Sequence, residues 1–231
     1  MTFDRSPAPA SRLTEPGLRL ALPLWLAGWT VMRLGGHRGP GLGWTVAHGV
    51  WIVAILLLGG GCVALYRRGP REGGGRALAS AALGMSLVGA AALVGQLGCD
   101  LVVGLRSADR TAMSDAYDRV FAVPGVQLAL FQVGPALLFA GLLALVVLAF
   151  RNGRASSSAV ALVVVGIIAQ VAGKPLPGWW RVVEGLGGVC LWWALASIAR
   201  ISPTTATTSA TVTATTAGRS STVSTARTTG T

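Results

Sequence analysis

Charge is scarce in this chain. Only 12% of its 231 residues are charged, against about 25% in a soluble domain. That leaves too little polar sequence to cover a water-facing globule. Cysteine is scarce too: Cys62, Cys99 and Cys190 lie in apolar runs without C-x-x-C spacing, which excludes a disulfide framework and a zinc ribbon. There are two histidines, His37 in a loop and His48 in an apolar run, so a haem held by two axial histidines is not expected. Neither G-x-x-x-x-G-K-[ST], nor G-x-S-x-G, nor H-E-x-x-H occurs, and these are the spacings that phosphate cradles, nucleophile elbows and zinc peptidases need. No catalytic residue, metal site or cofactor is therefore assigned, and an enzyme at the outer leaflet is the least favoured reading.

What the chain has is hydrophobicity: 52% hydrophobic residues and a mean hydropathy of +0.63. Several apolar runs reach the ~20 residues that a bilayer core of ~30 Å demands of a helix. The expectation is an all-α integral membrane bundle of six spans, at about 18–34, 42–66, 77–105, 126–150, 157–173 and 179–201. Residues 1–17 form an N-terminal tail. The first run follows a long polar leader and is interrupted by Arg19 and Pro23, so it reads as a retained span and not as a signal peptide. Residues 202–231 are Thr/Ser/Ala-rich without an apolar period, a composition expected to be disordered.

The net charge of +11 does not suggest nucleic acid, because the arginines flank apolar runs instead of clustering on one face. Their distribution sets an orientation. With the N-terminus inside, twelve of the nineteen basic residues fall in inside segments, including the dense short loops "RRGPREGGGR" and "RNGR". Both termini are then cytoplasmic. A single lysine, Lys174, among eighteen arginines, with abundant Ala and Gly, reads as high-GC codon bias, hence a bacterial plasma membrane.

Between the third and fourth spans, Met113, Ala116, Tyr117, Val120 and Phe121 recur at helical spacing. Asp115 and Arg119 occupy the other face as an i,i+4 pair. A short amphipathic surface helix at about 108–122 follows, with Ser107 as its N-cap and Pro124-Gly125 as its stop.

Polar side chains inside spans are costly in lipid and tend to face the bundle interior. They are His48, Gln96, Asp100, Gln132, Gln170, Arg181 and Glu184. Counting from the nearest inside arginine at ~1.5 Å per residue puts all of them roughly 24–36 Å along their helices, in the outer third of the bilayer. His48, Gln96, Asp100, Gln132, Gln170 and Glu184 are the candidate pocket. Gln96 and Asp100 are i,i+4 and share a face. Arg181 and Glu184 are i,i+3 and are expected to neutralise each other. Asp100 has no partner on its own helix, which leaves Arg33, Arg181 or water.

The second run with its central His48 and its ending "ALYRR", and the junction "LAFRNGRASSSAVALVVVGIIAQ", resemble the uncharacterised small six-span membrane proteins common in high-GC bacteria. The resemblance spans roughly residues 18–200 and implies no activity that could be carried onto named residues. Two readings of function follow. In the leading one the polar layer ties helices together in a structural or interaction protein, whose surroundings are the lipid bilayer. In the alternative, a small-molecule binder or transporter admits its ligand from outside into that layer.

Overall fold

The computed structural model describes residues 11–35, 39–70, 72–174 and 176–201. The two tails lie largely outside the described residues, and so does His37. Among the described residues the chain is helical throughout, with no strand. Its seven helices are α1 (Ser11–Gly35), α2 (Leu42–Arg68), α3 (Gly73–Arg106), α4 (Arg110–Phe121), α5 (Val126–Arg151), α6 (Ser157–Gly173) and α7 (Val182–Arg200). Four of them, α2, α3, α5 and a segment from Trp179 through α7, are long and apolar enough to cross a membrane. α6 is as apolar but spans 17 residues. α1 runs unbroken through Pro16 and Pro23.

Local chemistry explains the breaks. Pro135 has no N–H to give to the helical ladder, and the chain absorbs the fault in a π turn over Ala129–Val133 just before it. Gly125, in the left-handed region at φ 83°, starts α5 where a residue with a Cβ would be strained. Ser156 caps α6 by accepting from the Ala159 N–H at 3.2 Å. α4 is capped by Asp109, whose carboxylate accepts from the Ala112 N–H at 2.9 Å. This corrects the expected cap: Ser107 is occupied by the end of α3, donating its hydroxyl to the Val103 carbonyl at 2.8 Å.

Leaving aside α4, each long helix packs against the next in chain order, and α7 closes on α1. α2 also touches α5 across the ring. Neighbours run antiparallel. Gly17 meets Leu57 and Gly61 while Gly28 meets Ala47 and Trp51, and Gly166 meets Gly187 while Gly173 meets Glu184. One end of the bundle, the upper end, gathers Gly35, Leu42, Arg106, Val126, Gly173 and Val182, with α4 beside it. The lower end gathers Arg68, Arg151 and Arg200.

The lower half is packed by Leu58, Cys62, Leu65, Leu142, Leu145, Leu195 and Ile198. The outside of the ring is also apolar: Leu56, Val88, Ile168 and Val171 are each 61% exposed. α4 lays Met113, 5% exposed, against the bundle and leaves Asp115 and Arg119 exposed.

Candidate functional site

The site grows from three aromatic positions on α2. Trp44, His48 and Trp51 are i, i+4 and i+7, so they share one face. The His48 ring stacks on Trp44 at 4.2 Å and meets the edge of Trp51 at 5.1 Å. Its Nδ1 lies 2.8 Å from the Trp44 carbonyl. A carbonyl only accepts, so Nδ1 carries the proton and Nε2 is turned outward. Nε2 lies 3.7 Å from Asp100 Oδ2 on α3.

Asp100 is 8% exposed and is held from two neighbouring helices. The Tyr117 hydroxyl of α4 donates to its Oδ1 at 2.7 Å, and the Trp44 indole N–H of α2 donates to its main-chain carbonyl at 2.9 Å. Trp44 comes this close because Gly104 has no side chain: a Cβ there would fall 2.6 Å from Trp44 Nε1. Burial, with the Asp100 carboxylate beside it, pushes the Tyr117 phenol above its ordinary range, so it remains a donor. Tyr117 in turn stacks on Phe121, which meets Phe131 of α5 edge-on.

A second carboxylate is built on α7. Glu184 Oε2 accepts from Arg33 at 3.1 Å and from the Trp29 indole at 3.2 Å, both on α1. The Arg33 guanidinium also covers the Trp29 ring at 5.3 Å. Gln170 of α6, 4% exposed, donates to the Glu184 carbonyl at 3.1 Å.

Two expectations are overturned here. Glu184 does not pair with Arg181, which instead gives its Nε–H to the Leu176 carbonyl at 2.9 Å. The reason is that Arg181 sits in the 3-10 turn Gly178–Arg181, before the helix that would have brought it onto the face of Glu184. Asp100 pairs with neither Arg33 nor Arg181. Its donor is Tyr117, which the helical spacing puts on the inward stripe of α4 without naming its hydroxyl as a partner. The signal is present in the sequence: a buried tyrosine hydroxyl needs a partner, and Asp100 has none on its own helix.

Between the two carboxylates lies a cavity of about 230 Å³. It is lined from all six long helices, and its polar lining is Gln96, Asp100, Gln170, Lys174 and Glu184. Four of the six expected pocket residues thus face one space. His48 stands behind Asp100 and reaches the cavity through it. Gln132 does not join: it lies in the π turn and is exposed. The π turn carries an extra residue per turn and rotates the face that a regular helix would have offered. Gln96 points a buried Oε1 that has no hydrogen-bond partner among the described residues. His48 and Asp100 are two groups able to bind a metal, but no third His, Cys, Asp or Glu joins them among the described residues. Such a pair is not a metal site. The chain matches no protein-family model, no curated protein and no solved structure.

Proposed function

We propose that this chain is a six-span integral membrane protein of a bacterial plasma membrane with both termini cytoplasmic, and that its upper, outside-facing cavity binds a small molecule. The membrane reading is supported by the belt of exposed leucine, isoleucine and valine around the ring, which in water would be an association surface. In lipid such a surface carries no penalty, and cohesion comes from close packing and interhelical hydrogen bonds. α1 and α6, which join the ring as full members, supply the fifth and sixth spans. The arginines at the lower end favour that end as the inside one.

The binding reading rests on one observation: Gln96, Asp100, Gln170 and Glu184, from three helices, face a single cavity lined by all six long helices. Apolar walls with a few convergent polar groups are the usual make-up of a small-molecule site. Binding is preferred to transport because Leu65, Leu145, Leu195 and Ile198 pack the chain below the cavity. A structural role is the second reading. It is favoured by the partners Asp100 and Glu184 already have, Tyr117 and Arg33.

Accessibility separates the two. With Cys62, Cys99 and Cys190 replaced by alanine, Gln96→Cys in right-side-out vesicles is expected to react with a membrane-impermeant maleimide. Ser114→Cys should do the same, and Asn152→Cys only in inverted vesicles. If Gln96→Cys stays unreactive while Ser114→Cys labels, the cavity is sealed and the structural reading takes its place.

A further inference from the structure

The cavity is graded along its length. Its polar lining sits at the upper end and everything else is apolar or aromatic. The helical register gives the depth. Asp100 and His48 are level, since they touch. Leu58 is ten residues below His48 on α2, roughly 15 Å at the helical rise. Gly141 of α5 packs on Ala82 and Ser86 of α3. The neighbouring Leu142 therefore lies about fourteen residues, roughly 20 Å, below Asp100.

A volume of about 230 Å³ drawn out over such a length is slender, and it is smaller than the ~300–1,000 Å³ of compact drug-sized pockets. Three residues below His48 on α2, roughly 5 Å down, stands Trp51, stacked on Trp25 at 6.4 Å. The Trp51 N–H is spent on the Trp25 carbonyl at 2.9 Å, so Trp51 offers only its ring face. Near the bottom the buried Ser86 hydroxyl is spent on the Ala82 carbonyl at 2.9 Å. Below Gln96 the lining side chains are aliphatic or aromatic, a surface that suits a chain of methylenes.

The upper end is rich in acceptors. Two carboxylates and the Gln96 side chain line it, with the Gln96 Oε1 buried behind that lining and without a hydrogen-bond partner among the described residues. The Arg33 charge is committed to Glu184, and Lys174 is exposed at the rim. A negatively charged head would face both carboxylates, whereas a hydroxyl or ammonium would give them a donor.

We propose that the cavity takes a single-chain amphiphile whose head donates hydrogen bonds and bears no negative charge. The head lies at Gln96, Asp100 and Glu184, and the tail runs past Trp51 to Leu58 and Leu142. This rests on the binding reading above and names its ligand class.

The test uses the purified full chain in lipid nanodiscs and a bromine in mid-chain, at the level of Trp25 and Trp51, as a contact quencher of tryptophan. The probes are 6-bromododecylamine, 6-bromododecanol and 6-bromododecanoic acid. Saturable quenching by the amine and the alcohol is expected, and most of it should vanish in Trp25→Phe/Trp51→Phe. Gln96→Leu is expected to weaken binding about tenfold, the equivalent of one lost buried hydrogen bond. Leu58→Phe, checked for helix content by circular dichroism, should abolish binding of the long alcohol and keep that of 6-bromohexanol. If the acid binds as tightly as the amine, the head assignment is overturned. If quenching is unsaturable, or indifferent to the two Trp→Phe changes, the chain assignment is overturned. Should that happen while Gln96→Cys still labels from outside, the pocket stands and only the ligand class fails. Native mass spectrometry of the protein as purified separates the sources. An added mass displaced by the alcohol assigns the amphiphile to the bilayer, and a bare chain that takes up the probe assigns it to the medium.

Discussion

Asp100 and Glu184 face the same cavity across the ring, and they are held in different ways. Glu184 has a permanent cation, Arg33, backed by the Trp29 ring and its N–H. Asp100 has a hydroxyl from α4 on its carboxylate and an indole N–H from α2 on its main-chain carbonyl, and no arginine. One carboxylate joins α7 to α1 and so closes the ring. The other fastens the surface helix α4 over the end of α2 and α3. The difference teaches that two acidic residues at one level can serve separate structural tasks while sharing a cavity. Neither task follows from the charges on the residue's own helix.

The comparison can be broken from either side, and the ring closure should break hardest. Arg33→Met leaves Glu184 without its cation among half-buried aromatics, and the expected loss is about 2–4 kcal/mol. Thermal unfolding in detergent reads this. Arg33→Met/Glu184→Leu should regain more than half of the loss, because the uncompensated carboxylate is gone as well. A single variant that melts with the wild type would reduce the pair to a surface contact.

The α4 latch is the weaker tie. Tyr117→Phe removes one hydrogen bond to a carboxylate, about 1.5 kcal/mol, and keeps the ring that stacks on Phe121. Hydrogen exchange at the α4 amides should rise while that of α1 and α7 stays unchanged. Equal protection of α4 in both proteins would mean that Met113 and the aromatic stack hold the helix without the hydroxyl.

The smallest effect belongs to Gln132, which shares the level of the two carboxylates but not their cavity. Gln132→Leu is expected to change stability and alcohol binding by no more than about 0.5 kcal/mol. A large loss of binding would show that the π turn rearranges when the cavity fills.

The level of the polar layer is legible in the sequence. His48, Gln96, Asp100, Gln170 and Glu184 all lie within about three turns of the upper helix ends, where counting from the arginines puts them. The stripe of α4 is legible too, because its period is local. Rotation is not legible. Whether Gln132 faces inward depends on a π turn that Pro135 provokes, and no hydropathy window registers it. Likewise the i,i+3 spacing of Arg181 and Glu184 promises a pair only if both lie in one regular helix, and a 3-10 turn intervenes.

The chain by itself thus determined which segments are helices, how apolar they are, and how far along each its polar residues fall. Run length and rise per residue are properties of consecutive residues, and they need no neighbour. The tertiary structure alone decided which donor meets which carboxylate: Tyr117 for Asp100 and Arg33 for Glu184, at separations of 17 and 151 residues. Such pairings depend on how each helix turns about its own axis against the next. Close packing between small residues and their neighbours, as at Gly104 beneath Trp44, sets that angle.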